Sequence, residues 1–215
     1  MQKVFFITAT GTNIGKTFIL ENLCRKFAAN NQKFFALKPI ISGFDENGWN
    51  SNNANSDSAK ILKALSKPLN QKNLDLISPW RFKAPLSPNI AAELENKEIN
   101  FDEVVSFCQK HIKSAVKNNH YLLIEGAGGI MTPINNSKTF CDLISELKIP
   151  AILVIGNYLG TISHSLSAIT TLQHYKIPIS QIILNHQEGD ETNYQDILKT
   201  LRNFTDLEIV TLGTT

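Results

Sequence analysis

A chain of 215 residues, 42% hydrophobic and 19% charged, can bury one substantial core, so its composition argues against disorder and for a single domain over 1–215. A formal net charge of +2, with no cluster of lysine or arginine, excludes a nucleic-acid backbone as the expected partner. Cys24, Cys108 and Cys141 are odd in number, scattered and unpaired with histidines at metal-ligand spacing, and read as reduced core residues.

The first element, Lys3 to Thr8, is a β-rich run with no charge after its lysine, as expected of a strand buried on both faces of a parallel sheet. No export signal is visible there, and the densest apolar run, "AILVIG" at 151–156, is far too short to span a membrane. A soluble cytoplasmic protein without a membrane partner is expected. From Lys16 to Ala29, Ile19, Leu20, Leu23, Cys24 and Phe27 recur at helical spacing, and a second strand is predicted over Lys33 to Ile40. Residues 44–56 are asparagine-rich and aperiodic, which predicts a mobile loop of functional length. Asp57 to Leu65 can form a helix, whereas "SPWRFKAPLSP" at 78–88 holds too many prolines for regular structure. An amphipathic helix is predicted over Phe101 to Val116, burying Val104, Val105, Phe107, Cys108, Ile112 and Val116. Strands at 121–124, 151–155, 181–184 and 208–212 then alternate with helices at 140–147, 162–175 and 193–204. That alternation predicts an α/β fold, a parallel sheet with helices on both faces and ligands at the carboxyl ends of its strands.

The segment "TGTNIGKT" at 10–17 departs from the phosphate-loop pattern G-x-x-x-x-G-K-[ST] by holding Thr10 in the first glycine's place. Phosphate cradling depends on backbone N–H groups between a strand and a helix N-terminus, and side-chain identity at every loop position matters less. Gly15 is small where the backbone presses on phosphate, Lys16 offers an ammonium to the β/γ oxygens, and Thr17 offers a hydroxyl to Mg²⁺. Gly11, one place late, keeps a conformationally free position in the loop. Alternatively, "GKT" opens an ordinary helix with Lys16 and Thr17 in solvent.

Lys38, in "LKPIISGF", falls at the carboxyl end of the second strand, where it could neutralise a transferred phosphoryl group beside Ser42 or simply reach water. In "YLLIEGAGGIMTPI", Glu125 ends a buried-type strand and is followed by three glycines within four places. Its carboxylate can hold Mg²⁺ while Gly126 to Gly129 offer N–H groups to an anion, or the segment is an acid-capped glycine turn. Asp57 can cap the helix it precedes or bind Mg²⁺. The five histidines form no ligand set, and only His164 and His186 remain as pocket candidates.

Read in order, "TGTNIGKT", "KPIISG", "NSD", "EGAGG.MTPI", "GNYLGTISH" and "ILNH" resemble the dethiobiotin synthetases over nearly the whole chain. The resemblance implies a P-loop NTPase-like fold and an ATP-dependent ligase that closes the ureido ring of dethiobiotin in biotin biosynthesis. Its substrates would be 7,8-diaminononanoate, CO₂ and ATP, joined through a carbamate and a carbamic-phosphoric anhydride. It further implies catalytic roles for Lys38 and Lys16, with Thr12 and Ser42 at the substrate. Nucleotide contacts would come from Asn13, Ile14, Gly15, Lys16, Thr17, Phe18, Asp57, Glu125, Gly126, Ala127, Gly128 and Asn185. Thr17, Asp57 and Glu125 would hold Mg²⁺, and "GNYLGTISH" would lie at the interface of a homodimer whose partner completes the diamine pocket. On this reading Lys38→Ala abolishes ring closure and largely spares the fold.

This chain has Ala9, Gly11 and Asn13 where the family commonly has glycine, aspartate and glutamate. It also ends at "VTLGTT", where family members continue against the adenine, so Asn185 is expected to read the base with loose purine selectivity. The competing function is a nucleotide-dependent switch or partitioning ATPase, but such proteins use a second loop lysine, and Ala9, Thr10 and Gly11 leave no place for it.

Overall fold

The computed structural model describes residues 2–48, 55–187 and 192–214. In chain order the elements are β1 (Val4–Ala9), α1 (Lys16–Ala29), β2 (Phe34–Leu37), β3 (Ile40–Ser42), α2 (Asp57–Ala64), α3 (Gln71–Ile77), β4 (Trp80–Phe82), α4 (Pro88–Glu93), α5 (Phe101–Asn118), β5 (Tyr121–Glu125), α6 (Phe140–Leu147), β6 (Ala151–Gly156), α7 (Thr161–His174), β7 (Ile179–Gln187), α8 (Tyr194–Leu201) and β8 (Ile209–Thr214). Six strands form a parallel sheet in the order β2-β5-β1-β6-β7-β8. In β1 the neighbours Phe6 and Ile7, whose side chains point to opposite faces, are both fully buried. An uncharged run is therefore required there, and each such side chain contributes about 1.5–3 kcal/mol of burial free energy.

Helices α1 and α5 both pack on β1 and β5 and share no substantial contact with each other, which places them on opposite faces of the sheet. Phe140 of α6 meets Phe6 of β1 at a ring-centroid distance of 6.4 Å, and α6 also packs on α5. Local signals start the helices: Asn100 accepts from the N–H groups of Asp102 and Glu103, and Thr139 with Asp142 forms a capping box. Strand order changes direction at β1, which lies between β5 and β6, so the crevice at the switch opens beyond the carboxyl ends of β1 and β5. Glu125 pairs with Ile7 there, and this register sets the last acid of β5 beside the loop that leaves β1.

Several expectations are corrected. The second strand does not run through to Ile40: β2 stops at Leu37, and after Lys38 and Pro39 the chain enters β3, which pairs in parallel with β4 in a separate two-stranded sheet. The proline-rich stretch at 78–88 thus contains a strand, because Trp80 N–H reaches Pro39 O at 3.1 Å across an edge where proline is tolerated. Its last residue, Pro88, opens α4 at a position where no intrahelical N–H is needed. Helix α3 was not anticipated; Asn70 caps it by accepting from Asn73 N–H at 2.9 Å. Val116, expected inside, is 67% exposed, and Ala115 faces the core instead. The expected mobile loop at 44–56 lies in part, at 49–54, outside the described residues. Cys24, Cys108 and Cys141 are buried, and burial pushes each thiol up to about 12, so none is a reactive thiolate. Among the described residues no helix is long and apolar enough to cross a membrane.

Candidate functional site

The loop after β1 begins as an extension of the sheet. Thr10 N–H donates to Val154 O at 3.1 Å, so its backbone is extended and a threonine fits where the pattern asks for glycine. Left-handed φ values come later, 59° at Asn13 and 96° at Gly15. Gly11, expected to supply that freedom, is outside the left-handed region. It lies against Gly129, at which an added Cβ would stand 3.2 Å from Thr10 O and 3.3 Å from Gly11 Cα. Asn185 braces the loop from β7, its Nδ2 donating to Ile14 O at 3.0 Å while its Oδ1 is buried without a partner. With one amide arm on the loop, Asn185 ties β7 to the loop that follows β1.

Lys16 bends back over this loop and donates to Gly11 O at 2.9 Å. Burial lowers its ammonium to about 8; attraction by Glu125 opposes that shift and repulsion by Lys38 adds to it. A nucleotide's phosphates need the charged form, so affinity should weaken as pH rises above about 8, and binding there should take up a proton. Titration calorimetry at pH 9 in buffers of different ionisation heat checks this: uptake approaching about one proton is expected, and a buffer-independent enthalpy would refute it.

Lys38, immediately after β2, is buried rather than reaching water. Its ammonium donates to Glu125 Oε1 at 2.7 Å and pairs with Asp57. Thr17 Oγ1 donates to the same Glu125 oxygen at 2.7 Å, leaving Glu125 Oε2 buried and unpartnered. Burial is the largest single influence on both Lys38 and Asp57 and disfavours their charges. Mutual attraction outweighs it, holding Lys38 above its ordinary value with the help of Glu125, and Asp57 below its own. Asp57 is not the cap of α2, because Ser56 does that work by accepting from Ala59 N–H at 3.3 Å. Its carboxylate is thereby left for the crevice.

These groups line a cleft of about 740 Å³. Thr12, Asn13, Gly15, Lys16, Thr17, Phe18, Lys38, Ser42, Asp57, Glu125, Ala127 and Gly128 are all brought to it. Ile14, Gly126 and Asn185 are not on its wall. Gly126 N–H, expected to face an anion, donates to Ile7 O at 3.1 Å instead. A Cβ on Gly126 would stand 3.0 Å from Phe6 and 3.2 Å from Phe140, so this glycine serves sheet packing. His164 bonds Tyr158 and His186 stacks on Tyr194, and neither lines the cleft. Sequence reading missed Lys60 and Thr132 on the wall; Lys60, three residues after Asp57 on one helix face, was recoverable from spacing.

A family model described as an AAA domain matches residues 3–212. The ATP-dependent dethiobiotin synthetase BioD of Acidiphilium cryptum is 40% identical over 185 residues, covering 86% of this chain and 80% of its own. Its namesake in Methylobacterium nodulans is 31% identical, covering 97% and 92%. The chain belongs to the dethiobiotin synthetase family. Among solved structures, the MinC:MinD cell division complex of Aquifex aeolicus matches with TM-score 0.58 at 16% identity, over 99% of this chain and 82% of that one. A ParA family ATPase from Chlorobium tepidum gives 0.57 at 15%, over 100% and 86%. At such identities these two show the P-loop NTPase-like fold alone. The loop of this dethiobiotin synthetase family member carries no acid between Thr10 and Thr17, and Asn13 stands on the cleft wall uncharged.

Proposed function

We propose that this cleft closes the ureido ring of dethiobiotin from 7,8-diaminononanoate, CO₂ and ATP. The observation that carries the reading is the buried Lys38 ammonium, held by Glu125 and Asp57 in the same cleft as Lys16 and Thr17. One substrate amine attacks CO₂, forming an N–C bond and releasing a proton, and the carbamate oxygen attacks the γ-phosphorus as ADP leaves. The second amine then attacks the carbonyl carbon and expels phosphate. None of these steps needs a protein nucleophile; each needs positioning and cations where charge gathers. Lys16 would meet the phosphates on the loop side, Lys38 the carbamate and the transferring phosphoryl, with Thr12 and Ser42 beside the substrate. The Ser42 hydroxyl is buried without a partner, which suits a group that completes its bonding with ligand.

A divalent cation suits the donor set. Among the described residues no cluster of three acidic, histidine or cysteine side chains exists. Thr17, Asp57 and Glu125 nevertheless supply one hydroxyl and two carboxylates, with Glu125 Oε2 unpartnered, and Mg²⁺ is commonly held by one or two carboxylates together with substrate phosphates. Bound there, it would draw charge from the β and γ oxygens. A homodimer is part of the proposal: Leu159, just before α7, is 84% exposed, and a second copy would cover that apolar side chain.

The test is the dependence of ADP formation on both co-substrates. ADP should appear only with diaminononanoate and bicarbonate together, in step with a ureido product; ADP release indifferent to either would overturn the reading.

A further inference from the structure

We propose that Lys60 is an oxyanion-binding residue of the cleft, a third ammonium on the wall that Lys16 and Lys38 line. It stands on α2 three residues after Asp57, on the same face, and lines the cleft together with Pro85, Leu86 and Pro88. Each other cleft cation is engaged: Lys16 on Gly11 O, Lys38 on Glu125 and Asp57. Lys60 is half-buried, and among the described residues its ammonium forms no ion pair. Asp57, which Lys60 attracts without forming an ion pair, is already paired with Lys38.

The cleft therefore holds three ammonium groups against two carboxylates, with no acid on the loop to offset them. Three cations on one cleft wall repel one another in part, and an incoming anion would offset that repulsion. Pro85, Leu86 and Pro88 add apolar wall to the same cleft, and apolar surroundings strengthen the attraction of its cations for charge. Two sources fit this chemistry, the terminal phosphoryl of the nucleotide and the carboxylate or carbamate of the small substrate. The inference rests on the cleft being the site of the reaction proposed above.

Binding measurements on the full chain test it independently of turnover. Titration calorimetry on Lys60→Met and Lys60→Arg would use ADP, a non-hydrolysable ATP analogue and diaminononanoate. Lys60→Met should weaken either the analogue or the diaminononanoate by at least about fivefold and leave ADP within about twofold, and Lys60→Arg should restore most of the loss. Loss confined to the analogue assigns the γ-phosphoryl; loss confined to the diamine assigns the carboxylate. Affinities all unchanged, all equally reduced, or unrestored by arginine would each overturn the proposal. Thermal unfolding should move little, because among the described residues the ammonium makes no ion pair and loses only a longer-range attraction to Asp57. Should wild-type protein form no ureido product while the selective loss persists, the ring-closure reading fails and the oxyanion role of Lys60 stands.

Discussion

Lys38→Ala should lower ring closure by at least about a hundredfold, the scale seen when one preorganised charge donor is removed from a developing oxyanion. The same change should destabilise the protein. A lysine at a strand end suggests a side chain whose loss the fold tolerates, but here the ammonium is the partner of a fully buried Glu125. Breaking a buried pair by removing one member leaves an uncompensated charge, at a cost of about 3–5 kcal/mol. For a chain of this length that corresponds to a fall in melting temperature on the order of 10 °C. Asp57, with 38% of its side chain exposed, can recover solvation and adds less. A double variant, Lys38→Met with Glu125→Gln, separates the two effects: it should regain much of the stability and none of the activity. Calorimetric unfolding and a ureido-product assay read both quantities, and a Lys38→Ala protein with wild-type turnover would remove this residue from the mechanism.

Gly15→Ala should abolish measurable nucleotide binding, with a loss of at least about a hundredfold, although it adds one methyl group. The backbone at this position has a φ of 96°, where an L side chain is strained by about 1–2 kcal/mol. A second penalty comes from β7: the new Cβ would collide with Asn185 Nδ2, a contact that must be relieved by moving the amide or the loop. Either motion breaks the bond from Asn185 to Ile14 O and displaces the N–H groups that would cradle phosphate. Removing the obstructing amide in Gly15→Ala/Asn185→Ala should recover part of the affinity, since the clash disappears while the φ strain remains. Calorimetry with ADP on both variants decides it; equal affinities for wild type and Gly15→Ala would mean that this glycine does not shape the cup.

The contrast between Lys16 and Lys38 shows what a linear reading can reach. Lys16 announces itself through "GKT" after a buried strand, because strand, loop and helix are contiguous and their geometry is local. Lys38 has no such local signature: its role depends on Glu125, eighty-seven positions away, and on β5 lying between β1 and β2. Local spacing leaves Asp57 between capping and ligand binding, and only the Ser56 cap frees its carboxylate. Gly126 was misread for the same reason, since its crowding comes from Phe6 and Phe140 on other elements.

By itself the sequence determined the alternation of strands and helices, the phosphate loop despite Thr10, and the family, since each is written in contiguous spacing or in motif order. The tertiary structure alone decided which of the polar side chains share one cleft, which acid holds which lysine, and that Lys60 stands among them with no ion pair among the described residues. The physical reason is that periodicity and capping are set by neighbours within a few residues, whereas the pairing of buried charges depends on strand order and register, which bring distant residues within hydrogen-bonding reach.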